Sequence, residues 1–417
     1  MIDPDLAREL RALYPRILGK TIAIAGRLAD AEDAVQDAIE RALATWPRMG
    51  RPESTEAWLV RVAANCVHDR RRRRLREERH GSALKRLAEM SPWVQGAIAE
   101  VEVGRGWKDD LLRLLFACCH PSLEAGESAA LALATILGLS SPEIAEAFAV
   151  APRSMDQRLT RARRRLRAAG ADEAPRVDKA ADRLPAVLAT VYLLFNEGYW
   201  STSAEAPIRG DLCRLALGLG RSLRAIFPTE PEVCGLLALM ILHEARRSGR
   251  LDPSGAPIPL TDQDRRRWDR AAIAEGAALV EAALRQGKAG PFQIEAAVSA
   301  VHSRAATATE TDWSQIAELY ACLERVRPAP SVRVNRAFAV ARAQGPSDGL
   351  ALLDADGGVA VASYPYAHLV RGALLEELGE RRAAVQELEL AASHARNDHE
   401  QRQIRARIAR LRAADGR

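Results

Sequence analysis

Ser141-Pro-Glu-Ile-Ala-Glu-Ala-Phe148, Ala149-Val-Ala151 and Pro152-Arg-Ser-Met-Asp-Gln-Arg-Leu-Thr-Arg-Ala-Arg-Arg-Arg-Leu-Arg167 follow one another without interruption. An apolar run ending near Leu137 and the break Gly138-Leu-Ser precede them. Ser141 can cap a helix whose first position is Pro142, where a missing N–H costs nothing. Ile144, Ala145 and Phe148 form the inward face of that helix, and three residues later a second helix starts at Pro152. Met155, Leu159, Ala162 and Leu166 recur at i, i+4, i+7 and i+11 and bury the second helix. Arg153, Ser154, Gln157, Arg158, Arg161 and Arg164 are left facing outward. A short capped helix, a tight turn and a cationic second helix make a helix-turn-helix. Its second helix suits a major groove, with N-terminal residues on base edges and later arginines on phosphates. A solvated surface helix is the plainer account of an arginine run alone, and the partner helix and turn favour DNA.

Toward the N-terminus, residues 30–46 show the same periodicity. Val35, Ala38, Ile39, Ala42 and Trp46 form one apolar stripe, opposite Asp33, Gln36, Asp37, Glu40 and Arg41. Asp30 suits an N-cap, and Pro47 is expected to end the helix. After a short loop, a helix starting near Ser54 or Thr55 turns Trp58, Leu59, Val62, Ala63, Cys66 and Val67 inward. Its outer face shows Arg61, Asn65, His68 and Asp69, then runs into Arg70-Arg-Arg-Arg-Arg74. A solvated helix end explains that run as well as a nucleic-acid contact does. Its position beyond Arg61 and Asn65 gives it value, and two such helices far apart in the chain suit two separated DNA elements.

The wider composition agrees. The 417 residues carry 60 Lys plus Arg, 55 Asp plus Glu and a net charge of +5. Residues 1–170 hold 28 basic and 23 acidic side chains, whereas residues 171–417 hold 32 of each. A polyanion is therefore expected to meet the front half only. Aromatics make up 5%, Ala, Leu, Arg and Glu dominate, and no run alternates with a period of two, so an all-α fold is expected. Apolar runs such as Ala129–Leu139 and Val233–Leu242 fall short of the roughly 20 residues that span a bilayer. Met1-Ile-Asp-Pro-Asp lacks the regions of a signal peptide, which predicts a cytoplasmic protein without membrane contact. Six scattered cysteines do not form a disulfide framework.

Taken together, these motifs resemble the extracytoplasmic-function (ECF) sigma factors. Asp30-Ala-Glu-Asp-Ala-Val-Gln-Asp-Ala-Ile-Glu-Arg-Ala is similar to the family's region 2.1–2.2. Glu56-Ala-Trp-Leu-Val-Arg-Val-Ala-Ala-Asn-Cys-Val-His-Asp-Arg-Arg is similar to regions 2.3–2.4, and the helix-turn-helix to region 4. Phe116-Ala-Cys-Cys-His-Pro-Ser, Tyr192-Leu-Leu-Phe-Asn-Glu-Gly-Tyr and Asp262-Gln-Asp-Arg-Arg-Arg-Trp-Asp-Arg resemble a subgroup with a long tetratricopeptide (TPR)-like C-terminal extension.

The resemblance implies a polymerase subunit whose partners are core RNA polymerase, through the β′ clamp helices and β flap, and promoter DNA. Asp33, Gln36, Asp37, Glu40 and Arg41 then meet polymerase. Ser54, Thr55, Arg61 and Asn65 capture unstacked bases of the −10 element, and Arg70, Arg71, Arg72 and Arg73 grip nearby phosphates. Arg153, Ser154, Gln157, Arg158, Arg161 and Arg164 read the −35 element as duplex. Asp156 departs from the basic or polar residue common at its position. It either faces away or accepts a hydrogen bond from cytosine N4. The −10 loop lacks an aromatic, so base capture there uses a polar pocket instead of stacking.

The implied layout is region 2 over 1–79, a linker over 80–107, region 4 over 108–170, a linker over 171–183 and a TPR-like helical domain over 184–417. In the last, Gly372, Gly379, Ala384, Leu388 and Ala391 match TPR spacing, and Asn335–Gly345 supplies an earlier half-repeat. Stacked helix pairs of this kind offer a concave surface for a protein partner or an intramolecular contact. Cys118-Cys119-His120 lacks a second ligand pair for a metal, and His243-Glu244 lacks the second histidine of a zinc protease. Asn196-Glu197-Gly198-Tyr199 is expected as a turn between repeats. No catalytic set, cofactor or metal site is expected. The alternative is an independent helix-turn-helix regulator with a TPR-like sensing domain, which leaves the polar face at 33–41 without a role.

Overall fold

The computed structural model describes residues 4–81, 110–148, 150–169, 180–199, 210–252, 258–358, 361, 364–395 and 398–415. Most of the expected linkers 80–107 and 171–183 lies outside them, as do the loop near 201–209 and Asn397; residues 80–81 end a helix, and Ala181–Arg183 forms a 3-10 turn. Among the described residues the secondary structure is eighteen α-helices with short 3-10 turns and no β-strand, the all-α class expected. None of these helices is long and apolar enough to cross a membrane. The chain divides into two compact units, Met1–Leu223 and Arg224–Arg417, a boundary well beyond residue 184.

In the first unit, α1 (Pro4–Ala25), α2 (Leu28–Met49) and α3 (Thr55–Gly81) pack pairwise on one another. Ile17, Leu18 and Ile22 are buried on α1, and the buried stripe of α2 is Leu28, Ala31, Ala34, Val35, Ala38, Ala42 and Trp46. Ile39, expected in that stripe, is only half-buried. Leu59, Ala63, Cys66 and Val67 of α3 close the core, and Trp58 meets Trp46 edge-on at 5.2 Å. The ends of α2 differ from expectation. Arg27 holds the N-cap position without a side-chain capping bond to the helix N-terminus, and Asp30 lies in the first turn, where its charge complements the helix dipole. Pro47 is tolerated within the last turn. The stop comes from Gly50, whose φ of 83° suits a residue without Cβ and whose N–H reaches Trp46 O.

Next come α4 (Asp110–Cys118), α5 (Ala125–Leu137), α6 (Ser141–Ala147) and α7 (Pro152–Ala168). Every residue of α4 from Leu112 to Cys118 is buried, because α1, α5 and α8 (Leu184–Tyr199) all pack against it. Gly19 allows α1 to approach, since a Cβ there would lie 2.8 Å from Asp110 Cβ. Glu124 and Glu127 form a capping box on α5, and Gly138, with φ 61°, ends it. The cap of α6 is one residue earlier than expected. Ser140, not Ser141, holds that place, with its N–H on Glu143 at 2.7 Å. Met155, Leu159, Ala162 and Leu166 are buried on α7 as the periodicity predicts. Asn196–Tyr199 forms the last turn of α8, not a separate turn. The segment after it is α9 (Gly210–Ile226).

The second unit starts with α10 (Pro231–Glu244), buried continuously from Val233 to Leu242 because α11 (Arg270–Leu284) and α12 (Pro291–Arg304) flank it. Each such Leu, Ile or Val contributes about 1.5–3 kcal/mol of transfer free energy. Six more helices follow in sequential packing: α13 (Trp313–Val326), α14 (Pro330–Gln344), α15 (Pro346–Asp354), α16 (Pro365–Glu377), α17 (Arg381–Ser393) and α18 (Asp398–Asp415). Gly372 lets α16 lie against α17, because a Cβ there would meet Leu388 Cγ at 2.9 Å.

Leu388 is fully buried in the core shared by Ala384, Ile404, Ile408 and Leu411, whereas Leu390 on the same helix is 46% exposed. Leu388→Ala is expected to cost about 2–5 kcal/mol in urea unfolding of the second unit, and Leu390→Ala below about 0.5 kcal/mol. Similar losses for the two would contradict this packing.

Candidate nucleic-acid interface

The helix-turn-helix is built by burial. With Met155, Leu159, Ala162 and Leu166 fixed inward, Arg153, Ser154, Gln157, Arg161 and Arg164 are all exposed on the opposite side of α7. Among the described residues no ion pair engages Arg153, Arg161 or Arg164, so their charges face solvent. Arg158 differs. It is half-buried, with its guanidinium 5.5 Å from the centre of the ring of Phe148, just beyond α6. Asp156 is exposed on the same helix.

Two arginines of the same run are structural. Arg165 binds the buried Glu127 carboxylate at 2.7 Å, fastening α7 to the capping box of α5. Arg163 binds Glu32 of α2 at 3.3 Å. Neither was distinguishable by residue type. The available signal was position, since Arg163 and Arg165 directly flank Ala162 and Leu166 of the buried stripe.

On the first three helices, Arg61 and Asn65 are exposed one turn apart on α3. Ser54 is exposed and caps α3, its Oγ accepting the Ala57 N–H at 3.2 Å, while Thr55 is half-buried. Arg70 is not free for a phosphate. Its guanidinium binds Asp33 at 3.1 Å and Asp37 at 2.7 Å, joining α3 to α2. Arg72 is exposed and pairs with Asp69 at 2.8 Å. The side chains of Arg71 and Arg73 lie outside the described residues. Gln36, Glu40 and Arg41 are exposed on α2, with Gln36 donating to Glu40 at 3.2 Å.

The two groups of helices are docked. Besides Glu32–Arg163, the buried Arg113 of α4 donates to Gly19 O of α1 at 3.3 Å and to Asp110 at 2.7 Å. Burial and the neighbouring Glu32 push the Tyr14 hydroxyl well above its ordinary range, so it stays protonated beside this contact. Cys118 and Cys119 are buried in the same region, and burial pushes Cys119 up to about 12 although Thr190 lies 3.4 Å away. Both thiols are therefore held in the unreactive form. No group of three or more His, Cys, Asp or Glu among the described residues could hold a metal.

Three family matches fall on this geometry. Residues 10–77 match sigma-70 region 2, residues 113–166 match sigma-70 region 4, and residues 183–284 match a family of unknown function, DUF6596. An uncharacterized protein of Rhizobium meliloti (strain 1021) is 40% identical over 413 residues, covering 98% of this chain and 96% of its own length. No solved structure matches.

The Glu32–Arg163 pair is partly solvated, with Arg163 37% exposed and Glu32 16% exposed. A double-mutant cycle with Glu32→Gln and Arg163→Gln is expected to give a coupling of about 0.2–1 kcal/mol at low salt, shrinking as salt rises. No coupling at low salt would mean that apolar packing alone docks the two groups.

Proposed function

We propose that this chain, which belongs to the ECF-like sigma factors with a long C-terminal extension, acts in the cytoplasm and directs core RNA polymerase to promoters through −10 and −35 elements. The observation that carries this reading is the pair of separate polar faces. The outward face of α7 presents Arg153, Ser154, Gln157, Arg161 and Arg164, and α3 presents Arg61 and Asn65. Arginine–phosphate contacts supply salt-dependent affinity, and amides and hydroxyls on base edges supply the discrimination. In this account α7 reads the −35 duplex, and Ser54, Thr55, Arg61 and Asn65 hold −10 bases. Arg158 is pre-ordered by Phe148. Gln36, Glu40 and Arg41, with the acids at 33 and 37, face the β′ clamp helices, and region 4 meets the β flap. Arg70 acts by setting the α2–α3 geometry, leaving Arg72 and its neighbours for phosphates.

The −10 and −35 elements are separated along the duplex, so the docked state has to open on promoter binding. Glu32–Arg163 and Arg113–Gly19 are the polar contacts that release. The C-terminal extension regulates this step in cis. A chain cut near residue 172 loses α8, which packs on α4 and α5 and buries Val187, Leu188 and Val191. Residues 1–223 are therefore the fitting comparison for the full chain. The independent-regulator reading gives no role to the polar face of α2.

Arg161→Ala is expected to lower −35 duplex affinity across sequences and to reduce the magnitude of the log K against log salt slope by about 1. Its affinity for core polymerase should be unchanged, with run-off transcription reduced. Loss of polymerase binding in this variant would defeat the division of labour. Failure of the wild-type chain to initiate with core polymerase, while still binding duplex alone, would favour the regulator.

A further inference from the structure

The second unit buries two arginines that form no ion pair with a described residue, although Glu310 lies near enough to Arg265 to favour its charge. Arg246, just beyond α10, is 6% exposed, and Arg265, in the 3-10 turn Arg265–Arg267 before α11, is 5% exposed. Arg265 is satisfied by neutral acceptors. It donates to His302 O at 2.8 Å, Ala305 O at 2.9 Å and Thr311 Oγ1 at 3.1 Å, and stacks 5.0 Å from the Trp268 ring centre. These carbonyls belong to the C-terminal end of α12, whose dipole favours a cation. Arg246 has no such arrangement. Its Nε is buried without a partner, and its side chain makes no hydrogen bond or ion pair with any described residue.

Other unsatisfied polar atoms accompany it. Trp268 Nε1, Arg265 Nε and His302 Nδ1 are likewise buried without a partner. Burial disfavours protonation of His302, and Arg246 and Arg265 add to it, so that the imidazole is held neutral down to about 4. Backbone contacts bring these groups together: the Asp269 N–H donates to Ala245 O at 2.9 Å, and a Cβ on Gly249 would lie 3.0 Å from Trp268 Nε1. Removing a cation from water is costly unless an anion or good hydrogen bonds replace the hydration. A guanidinium fork, an indole N–H and an imidazole nitrogen are the groups that complement an oxyanion.

We propose that Arg246, with Trp268 and His302, binds the oxyanion group of a small molecule, a phosphate or a carboxylate. The slight exposure of Arg246 excludes a nucleic-acid backbone and fits a single compact anionic group. This site is independent of the promoter-binding faces and makes the C-terminal unit a receptor for an anionic metabolite.

The test is calorimetric titration of the full chain with inorganic phosphate and with succinate in chloride buffer at matched ionic strength, together with thermal melting. Saturable binding of one probe is expected, phosphate identifying a phosphoryl ligand and succinate a carboxylate. Arg246→Gln should weaken it at least tenfold, and Arg161→Ala should leave it unchanged. In chloride alone Arg246→Gln should melt at or above the wild type, because it removes an uncompensated charge. With the probe present, the wild type should melt higher. Absence of saturable binding to both probes would overturn the proposal. So would equal binding by Arg246→Gln, or a variant that melts lower than the wild type in chloride and still binds. Should Arg246→Gln fail to fold, Arg246→Lys keeps the charge without the fork, and unweakened binding by it would also count against the site.

Discussion

The burial of α4 is the constraint on which the first unit depends. Its residues from Leu112 to Cys118 are removed from water on every side, which requires α1, α5 and α8 to cover them. A helix so enclosed must also satisfy its one cation. Arg113 does this with a backbone carbonyl at Gly19 and a carboxylate one turn away. That carbonyl is reachable because Gly19 brings the backbone of α1 against Asp110. Region 2, region 4 and the first helix of the extension are thereby tied into one body.

The same accounting separates the arginines, which composition cannot do. Arg70, Arg113, Arg163 and Arg165 pair with Asp or Glu and join helices. Arg153, Arg161 and Arg164 project from the other side of α7 into solvent. Every inward arginine lowers the charge offered to DNA without changing the sequence count. The modest excess of +5 is therefore a poor measure of the cationic face.

In the second unit small residues set the helix spacing. Gly276 and Gly372 sit where a Cβ would strike Leu242 and Leu388, so neighbouring helices pack more closely than larger residues allow. Arg246 and Arg265 are placed within this packing, and their surroundings differ sharply. Arg265 meets carbonyls at a helix end, while Arg246 meets no acceptor among the described residues.

Periodicity alone determined the all-α class, the buried stripe of α7 and the outward set at Arg153, Ser154, Gln157, Arg161 and Arg164. A 3.6-residue repeat reports which side of a helix is apolar without reference to its neighbours. The exposed pair Arg61 and Asn65 was legible for the same reason. Helix ends were less so. Arg27, Ser140 and Gly50 hold the boundary positions instead of Asp30, Ser141 and Pro47, because caps depend on local backbone geometry that several nearby residues can satisfy. Only the tertiary structure decided that Arg70 belongs to Asp33 and Asp37, that Arg163 belongs to Glu32, and that Arg246 is buried. Those partners, or their absence, are set by helices brought together across long stretches of chain, and a periodic pattern within one helix carries no information about which other helix will cover it.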